Sequence, residues 1–547
     1  MARNRVIYNS EALFAGQKAG KACYEQDEGV NSIKQLHRVQ NANYAFNVAR
    51  TDINQFGELA AIDRIISDTP TVSLDFSYYL ANFSNEHFLG LNIGNTGNGS
   101  VDPFGDGEGL TTAVKFYLDS TKDQRNYFIQ TSAEGVDAVN DEDNRNKGVI
   151  GIGNGFITSY SVDASVGGLP TASVGVEALN MSFESGMVLR HSGFGTSDYR
   201  NSWRSRATGA SSYQAAEDGA RFSGVPILYD GKGSKLTYSS GVSVPGGLGS
   251  FSGFYPLKGE GDEISAQRWR SSGVRLPSIN PVDGTKSAGA FFLPNSSGHA
   301  GADASGILNL STLRPGDIRL YFRQVRRGSG PNLSGYSGAG STAGDERAGF
   351  KDPDIPGIEL PTQSGYKREA ADDADNEVTA SHIQSFTLGF DLSRTPLQRL
   401  GVKHAFSREI DFPVNVTFSI DAILADITTG NLADIIDCDR SYDVAVEMCA
   451  PADCFNTSAS SHDLRSFDTR IPVATYIIKN AKLDSESFTS SIGDNKGVTL
   501  DFSAQIGGPN QSGNGLFMKG VTTANMDSVL ETDSPSFPQE DITLAGG

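Results

Sequence analysis

The stretch YAFNVARTDINQFGELAAIDRIISDTPTVSLDFSYYLA at residues 44–81 decides the fold, because residues 388–425 repeat it as LGFDLSRTPLQRLGVKHAFSREIDFPVNVTFSIDAILA. A gapless alignment with one constant shift (394 − 50 = 344) keeps its register throughout. Several identities fall in loop-like sequence, where strand alternation imposes nothing, so the match indicates a duplicated β unit and favours assembly into a ring. The matched pairs include Phe46 with Phe390, Arg50 with Arg394, Thr51 with Thr395, Gly57 with Gly401, and Arg64 with Arg408.

The second half of the unit also recurs, more faintly. Residues 157–185 resemble residues 478–506, and both read as a strand, a polar turn and a returning strand. This alignment places Val162 over Leu483 and Asp163 over Asp484. The alternative interpretation is that two unrelated β domains share their alternation by chance.

Length and charge limit the possible functions. A chain of 547 residues exceeds the usual single core and predicts two or three domains. Its 45 basic and 65 acidic residues give a net charge of −20, which argues against a nucleic-acid-binding surface built from clustered Lys and Arg. Such a charge suits a soluble surface, or one that must repel DNA phosphates.

Hydrophobic patterning predicts a mainly β chain. Alternation of period two predicts strands at residues 44–49 and 71–80, joined as an extended hairpin. Loops as long as residues 50–69 are uncommon inside compact domains and are usually functional. Further predictions are a helix at 57–66, a helix near 83–94, strands at 113–119 and 125–131, a turn at 151–156, and a strand at 316–324 in the sheet of the first domain.

No motif predicts catalysis, so the chain is expected not to be an enzyme and to need no cofactor or metal. No two of the seven histidines have the spacing of a zinc hydrolase. Acidic runs at residues 102–108 and 141–143 could hold a hard cation but match no EF-hand template, so solvated loops are the preferred interpretation. Free thiols are expected, with a Cys449–Cys454 disulfide as the alternative. The cysteines are Cys23, Cys438, Cys449 and Cys454.

The sequence predicts neither a secretory signal nor a membrane-spanning segment. The first residues are basic but carry no apolar run of secretory length, so no signal peptide is expected there. Nothing approaches 18 consecutive apolar residues, so no membrane-spanning segment is expected.

The duplicated unit resembles the major tail tube proteins of long-tailed bacteriophages. Each unit has a strand, a long loop, a returning strand, a helix-like segment and a closing hairpin. The resemblance covers residues 32–185 and 378–508, and it implies two tandem β-sandwich or split-barrel domains, each with a short helix. The implied organisation is an N-terminal arm at 1–31, tube-like domains at 32–186 and 378–508, a Gly/Ser-rich β insertion or decoration at 187–377, and an acidic arm at 509–547.

Tube proteins of this family form six-membered rings, so the resemblance implies that three chains with two units each make one ring. It also implies a virion tail protein, assembled in the host cytoplasm, whose partners are itself, other tail proteins and DNA that passes through without specific binding. The expected ring contacts lie in the two long loops: Arg50, Thr51, Gly57, Arg64, Arg394, Thr395, Gly401 and Arg408.

Two other classes of protein stay open. One is a different virion or surface-array component, such as a decoration, baseplate or adhesin protein with two β domains. The other is a secreted polysaccharide hydrolase, which the presence of only two tryptophans, Trp203 and Trp269, weakens. The alternative role for the arginines of the long loops is to pin their own loops rather than contact a neighbour.

Overall fold

A computed structural model gives the fold. The structure describes residues 11–17, 33–67, 70–81, 83–95, 104, 110–118, 125–131, 148–178, 180–185, 221–223, 273–275, 290–292, 307–309, 312–313, 315–325, 350–351, 354–355, 358–359, 382–397, 407–424, 441–449, 472–490, 495–509 and 511–520. The acidic runs near residues 106 and 142, together with Cys23, Cys438, Cys454 and Gly401, lie outside these residues.

The first unit contains eleven strands and two short helices. In chain order they are β1 (Glu11–Gln17), β2 (Ile33–Gln35), β3 (Val39–Asn47), β4 (Arg50–Ile53), β5 (Asp63–Ile66), β6 (Thr71–Tyr79), α1 (Ser84–Leu89), β7 (Ile93–Asn95), α2 (Lys115–Leu118), β8 (Arg125–Thr131), β9 (Gly148–Ser165), β10 (Thr171–Ala178) and β11 (Asn180–Ser185).

Most of the remaining strands belong to the second unit. Short pairs fill part of the segment between the units: β12 (Arg221–Ser223) with β13 (Gly273–Arg275), β14 (Ala290–Phe292) with β15 (Ile307–Asn309), and β18 (Asp354–Ile355) with β19 (Ile358–Glu359). The second unit consists of β16 (Ile318–Val325), β17 (Phe350–Lys351), β20 (His382–Asp391), β21 (Arg394–Leu397), β22 (Ser407–Ile410), β23 (Asn415–Ile423), β24 (Ser441–Cys449), β25 (Pro472–Thr489), β26 (Gly497–Gln505) and β27 (Gly515–Gly520).

The two units share one antiparallel sheet, here called the common sheet. Its eight strands run in the order β3-β6-β10-β9-β20-β23-β26-β25, four from each unit. The alternation in β6 agrees with a sheet that is covered on one face, because Val72, Leu74, Phe76 and Tyr78 are buried while the residues between them face outward. The prediction of a mainly β fold is therefore confirmed.

An outer sheet covers the apolar face of the common sheet in each unit. In the first unit its order is β2-β1-β8-β9-β11, and in the second it is β17-β16-β24-β25-β27 with β7 added in parallel. The 18-residue strands β9 and β25 belong to both layers of their unit. Each unit is therefore a β-sandwich, and one continuous apolar core runs through both.

Local irregularities repeat between the units as well. The extra residue at Gln40 in β3 corresponds to Gln384 in β20, with the same shift of 344. In the second half of the unit, the extra residues are Thr158 in β9 and Asp484 in β25. The shift there is 326 (484 − 158), so Val162 corresponds to Phe488. The faint alignment from sequence, with Val162 over Leu483, was five residues out of register.

Several local predictions were wrong. Residues 63–66 form β5 and not a helix, because their backbone groups pair with β4 across a turn at Gly57, whose φ of +93° suits glycine. Residues 115–118 are helical rather than extended, and Tyr117 anchors them by donating from its hydroxyl to the Leu89 carbonyl. Residues 151–156 lie inside β9 rather than in a turn.

Strands outside the predicted domain bounds complete both sandwiches. β1 lies in the segment expected to be an N-terminal arm, β16 in the expected insertion, and β27 in the expected C-terminal arm. Their central side chains are buried, as at Phe14, Phe322 and Phe517. β16 pairs with β24 of the second unit, and not with the first domain as the sequence suggested.

Two further expectations concern the described residues. Cys449 is buried at the end of β24, while Cys454, its partner in the alternative disulfide, lies outside the described residues. Within the described ranges, no helix is long and apolar enough to cross a membrane.

Candidate functional site: the edges and hairpins of the common sheet

The common sheet contains an internal junction, defined here as the pairing of β9 from the first unit with β20 from the second. Seven residue pairs form this ladder, from Ser385 opposite Ser165 to Asp391 opposite Ser159. On its apolar face Leu388 lies opposite Val162 and is almost fully buried. The backbone therefore continues from one unit to the next as it does within a unit.

Within the described residues, each end of the common sheet is a strand with one unpaired edge. Among the described strands, β3 pairs only with β6, and residues 482–489 of β25 pair only with β26. These edges have counterparts at the internal junction: β3 corresponds to β20, and β25 corresponds to β9. One edge of each kind is therefore left over at opposite ends of the chain.

Apolar side chains line these two edges. Tyr44 and Phe46 on β3 are 37% and 63% exposed, and Phe488 on β25 is 47% exposed. Their counterparts at the internal junction are 1% exposed at Leu388, 3% at Phe390 and 1% at Val162. Unpaired edges with exposed apolar side chains are templates for pairing with another chain.

The second long loop is a hairpin, β21–β22, that docks on the first unit. Arg408 Nη1 donates to Glu177 Oε1 at 2.6 Å, and the Arg394 guanidinium lies 4.8 Å from the centre of the Phe156 ring. Since Glu177 and Phe156 belong to the first unit, both predicted arginines do contact the neighbouring unit, although within the same chain. Thr395 instead donates to Asp411 at 2.9 Å.

The first long loop is the equivalent hairpin, β4–β5, but its arginines are engaged differently. Arg50 Nη1 donates to the Arg64 carbonyl, as Arg394 does to Arg408. Arg64 forms an ion pair with Asp52, at the place where the second hairpin has Pro396. The Arg64 side chain is 68% exposed, against 7% for Arg408.

The first hairpin also presents apolar side chains to solvent. Phe56 and Leu59 at its end are fully exposed, and Ile53, Ile62 and Ile66 are exposed along its strands. Thr51 is exposed opposite Ile65. Exposed apolar surface of this kind is typical of sites that contact another protein.

The face of the common sheet that the outer sheets leave open is polar and acidic. Its strand positions are mostly Ser, Thr, Asn and Gly, and aspartates are held between hydroxyls: Ser419 and Ser485 donate to Asp501, lowering its pKa. Among the paired strand positions described on this face, six side chains are carboxylates and one, Lys482, is a cation. The carboxylates are Asp75, Asp163, Glu177, Asp391, Asp421 and Asp501.

A buried carboxyl group lies where the two units meet. Tyr78 and Tyr160 donate to Glu86 Oε1 at 2.9 and 3.1 Å. The Tyr160 and Tyr476 hydroxyls are 2.6 Å apart, and Tyr476 is the donor because Tyr160 donates to Glu86. Burial raises the pKa of Glu86 to about 7, against the hydrogen bonds that lower it. This network joins α1 of the first unit to β25 of the second.

The apolar residues on the outer strand edges, and the residues that the hairpin arginines contact, were not identified from the sequence. The hairpin arginines were found through the repeat, but Tyr44, Phe46 and Phe488 read only as strand residues. The available signal was the alternation of Tyr44 and Phe46 with asparagines in β3. Glu177 and Phe156 gave no such signal, because the ladder order alone brings them to the second hairpin.

A pair of matched substitutions separates the two hairpins. Arg408→Gln is expected to lower the free energy of unfolding by about 2 kcal/mol, because it removes a largely buried charged hydrogen bond to Glu177. Arg64→Gln is expected to change it by less than about 0.5 kcal/mol, because its ion pair is exposed. Urea unfolding of both variants measures this, and equal losses would contradict the distinction.

Comparisons with known proteins give only distant similarities. No protein-family model matches the chain, and no curated protein matches it. Among solved structures, a chain of the anti-feeding prophage baseplate is 11% identical with a TM-score of 0.17, covering 25% of this chain and 78% of that one. The SPP1 tail tube is 10% identical with a TM-score of 0.20, covering 33% and 80%. At this level the likeness says nothing about function.

Proposed function

We propose that this chain is a structural protein of a phage tail tube, and that three copies form a ring around a channel. The observation that carries the proposal is the common sheet: two like units are already joined edge to edge, and at its ends one edge of each kind pairs with no described strand. Repeating the same junction between chains removes both edges, and closure into a ring leaves none.

The strand count favours three chains. Three sheets of eight strands give 24 strands, and a spacing of about 4.8 Å gives an untilted barrel with a backbone diameter of roughly 37 Å. Side chains reduce this to roughly 25 Å, which admits a nucleic-acid duplex. Two chains would leave about half of that width. The outer sheets cover the apolar face, so the acidic polar face would line the channel.

The chemistry of that face suits passage rather than binding. Affinity for DNA comes mainly from Lys and Arg on phosphates, and the open face carries mainly carboxylates and small hydroxyl groups. DNA would therefore slide through without a specific grip. In this proposal the chain has no catalytic role, resides in the virion tail, and contacts further copies of itself and other tail proteins.

Imaging and mass measurement of the purified full chain test this proposal. The expected result is closed rings of three chains, with a mass of about 174 kDa (3 × 58.1 kDa) in native mass spectrometry. Electron microscopy should show sixfold-like rings around an open channel. A protein that stays monomeric at high concentration, or a ring of another chain number, would overturn the proposal.

The exposed end of the first hairpin provides a separate test of stacking. Phe56→Ser with Leu59→Ser is expected to leave melting and ring mass unchanged, because both side chains are fully exposed in the single chain. Tubes should become at least several-fold shorter if these side chains are buried against the next ring. Tube length in negative-stain images measures this, and unchanged lengths would remove the hairpin from the stacking contact.

A further inference from the structure

The internal junction predicts residue by residue how a second copy would pair. Its ladder places Leu388 opposite Val162 and Phe390 opposite Tyr160. Applying the shifts of the repeat, 344 for β20 to β3 and 326 for β9 to β25, places Tyr44 of one chain opposite Phe488 of the next. The same shifts place Phe46 opposite Glu486 and Ala45 opposite Ser487.

The edge side chains support this register. Tyr44 and Phe488 would bury each other's exposed surface, as Leu388 and Val162 do. Glu486 differs from its counterpart Tyr160, and its Oε1 is buried without a hydrogen-bond partner in the single chain. Phe46 would pack along the Glu486 side chain at the position where Phe390 lies against Tyr160, with 5.5 Å between the ring centres. This contact buries the Phe46 ring but gives the carboxylate no partner, so the packing of Tyr44 against Phe488 carries the apolar gain.

The residues that bind the arginines at the internal junction are not repeated at the edge that a second chain would meet. The counterpart of Glu177 is Ser503, and the counterpart of Phe156 is Lys482. Arg64 therefore has no carboxylate at the place where Arg408 finds one, and its own hairpin supplies Asp52. An interchain junction in this register would share the backbone pairing of the internal one but differ from it in charge.

We infer that a second copy of this chain adds its β3 edge to β25 with Tyr44 opposite Phe488, and that this interchain junction is held by apolar burial without the arginine contacts that fix the internal one. The inference rests on the ring assembly proposed above. The interchain junction would therefore be the weaker of the two.

Cysteine cross-linking tests the register in the full chain. Ala45→Cys with Ser487→Cys places two thiols directly opposite, with Cα atoms roughly 4.5–5.5 Å apart, a separation that allows a disulfide. Asn41→Cys with Ser487→Cys is the matched control, about 13 Å out of register along the strand. Mild oxidation, a non-reducing gel and mass spectrometry of the linked peptides give the readout against the four native cysteines.

The outcomes separate this inference from the proposed function. A covalent product that ends at a closed trimer supports both. A ladder that continues beyond three chains supports the register and overturns the three-chain ring. Absence of the Ala45–Ser487 cross-link, or equal cross-linking of the control, overturns the inference.

Introducing the arginine contacts at the interchain junction should make the ring more stable, which tests whether their absence weakens it. Asp52→Pro, Lys482→Phe and Ser503→Glu together copy the internal junction at the interchain one, freeing Arg64 to bind the new carboxylate. The exchange of subunits between rings is expected to slow roughly ten-fold. It is measured by mixing rings of labelled and unlabelled protein and recording the mass of the mixed rings over time. Unchanged or faster exchange would show that the interchain junction does not follow the internal one.

Discussion

Phe46→Glu is expected to abolish ring assembly while leaving the fold of the single chain intact. The substitution removes an exposed aromatic from the β3 edge and places a carboxylate opposite Glu486 of the next chain. Losing this burial and adding a like charge costs at least about 1.4 kcal/mol, or ten-fold, per junction. A ring with three junctions should weaken roughly a thousand-fold. Sedimentation across a concentration series measures the loss.

Two controls give this result its meaning. Melting of the dilute Phe46→Glu chain should match the parent, because Phe46 is 63% exposed before assembly. Phe56→Glu changes an equally apolar side chain on the first hairpin, away from the edge, and should leave ring mass unchanged. Normal rings from Phe46→Glu would exclude β3 as the assembling edge.

Glu86→Gln is expected to make the protein more stable at high pH. Burial raises the pKa of Glu86 to about 7, so the folded protein keeps a proton that the unfolded chain releases above about 4.5. The stability linked to this proton is complete below pH 4.5 and is lost as pH rises to about 7. The loss is roughly 3 kcal/mol. A glutamine accepts from Tyr78 and Tyr160 without carrying charge.

The measurement is the difference in unfolding free energy between variant and parent from pH 4.5 to 8. The difference should grow in favour of Glu86→Gln across that window and then level off. Comparing the two proteins is necessary because burial lowers the pKa of His37 to about 3, which makes stability rise with pH over part of the same range. A difference that stays flat would mean that Glu86 ionises normally.

Some elements were readable from the sequence because local pattern and final structure agree. The alternation of residues 71–80 became β6, and the Arg-Thr repeat marked two hairpins that do keep the same arginine-to-carbonyl contact. The short helix after β6 was also found, as α1. In each case the side-chain period, or an identity within the repeat, carried the information.

Other elements could not be read, because distant strands decide them. Residues 63–66 follow a helix-like sequence, but pairing with β4 makes them extended. The strand at 125–131 was predicted and is β8, but β8 and β24 are buried on both faces, so no alternation shows which side of either strand meets which sheet. β16 lies far from β24 in the chain, and nothing local indicates that they pair.

The sequence alone determined that this is a duplicated, acidic, mainly β chain with two equivalent long hairpins, because identities at a constant shift survive without knowledge of contacts. Only the tertiary structure decided which edges stay open. Strand order depends on hydrogen bonds between segments hundreds of residues apart, as between β9 and β20. The same long-range order turned Arg408 toward Glu177 and left Arg64 in its own hairpin, although the two arginines are equivalent in sequence.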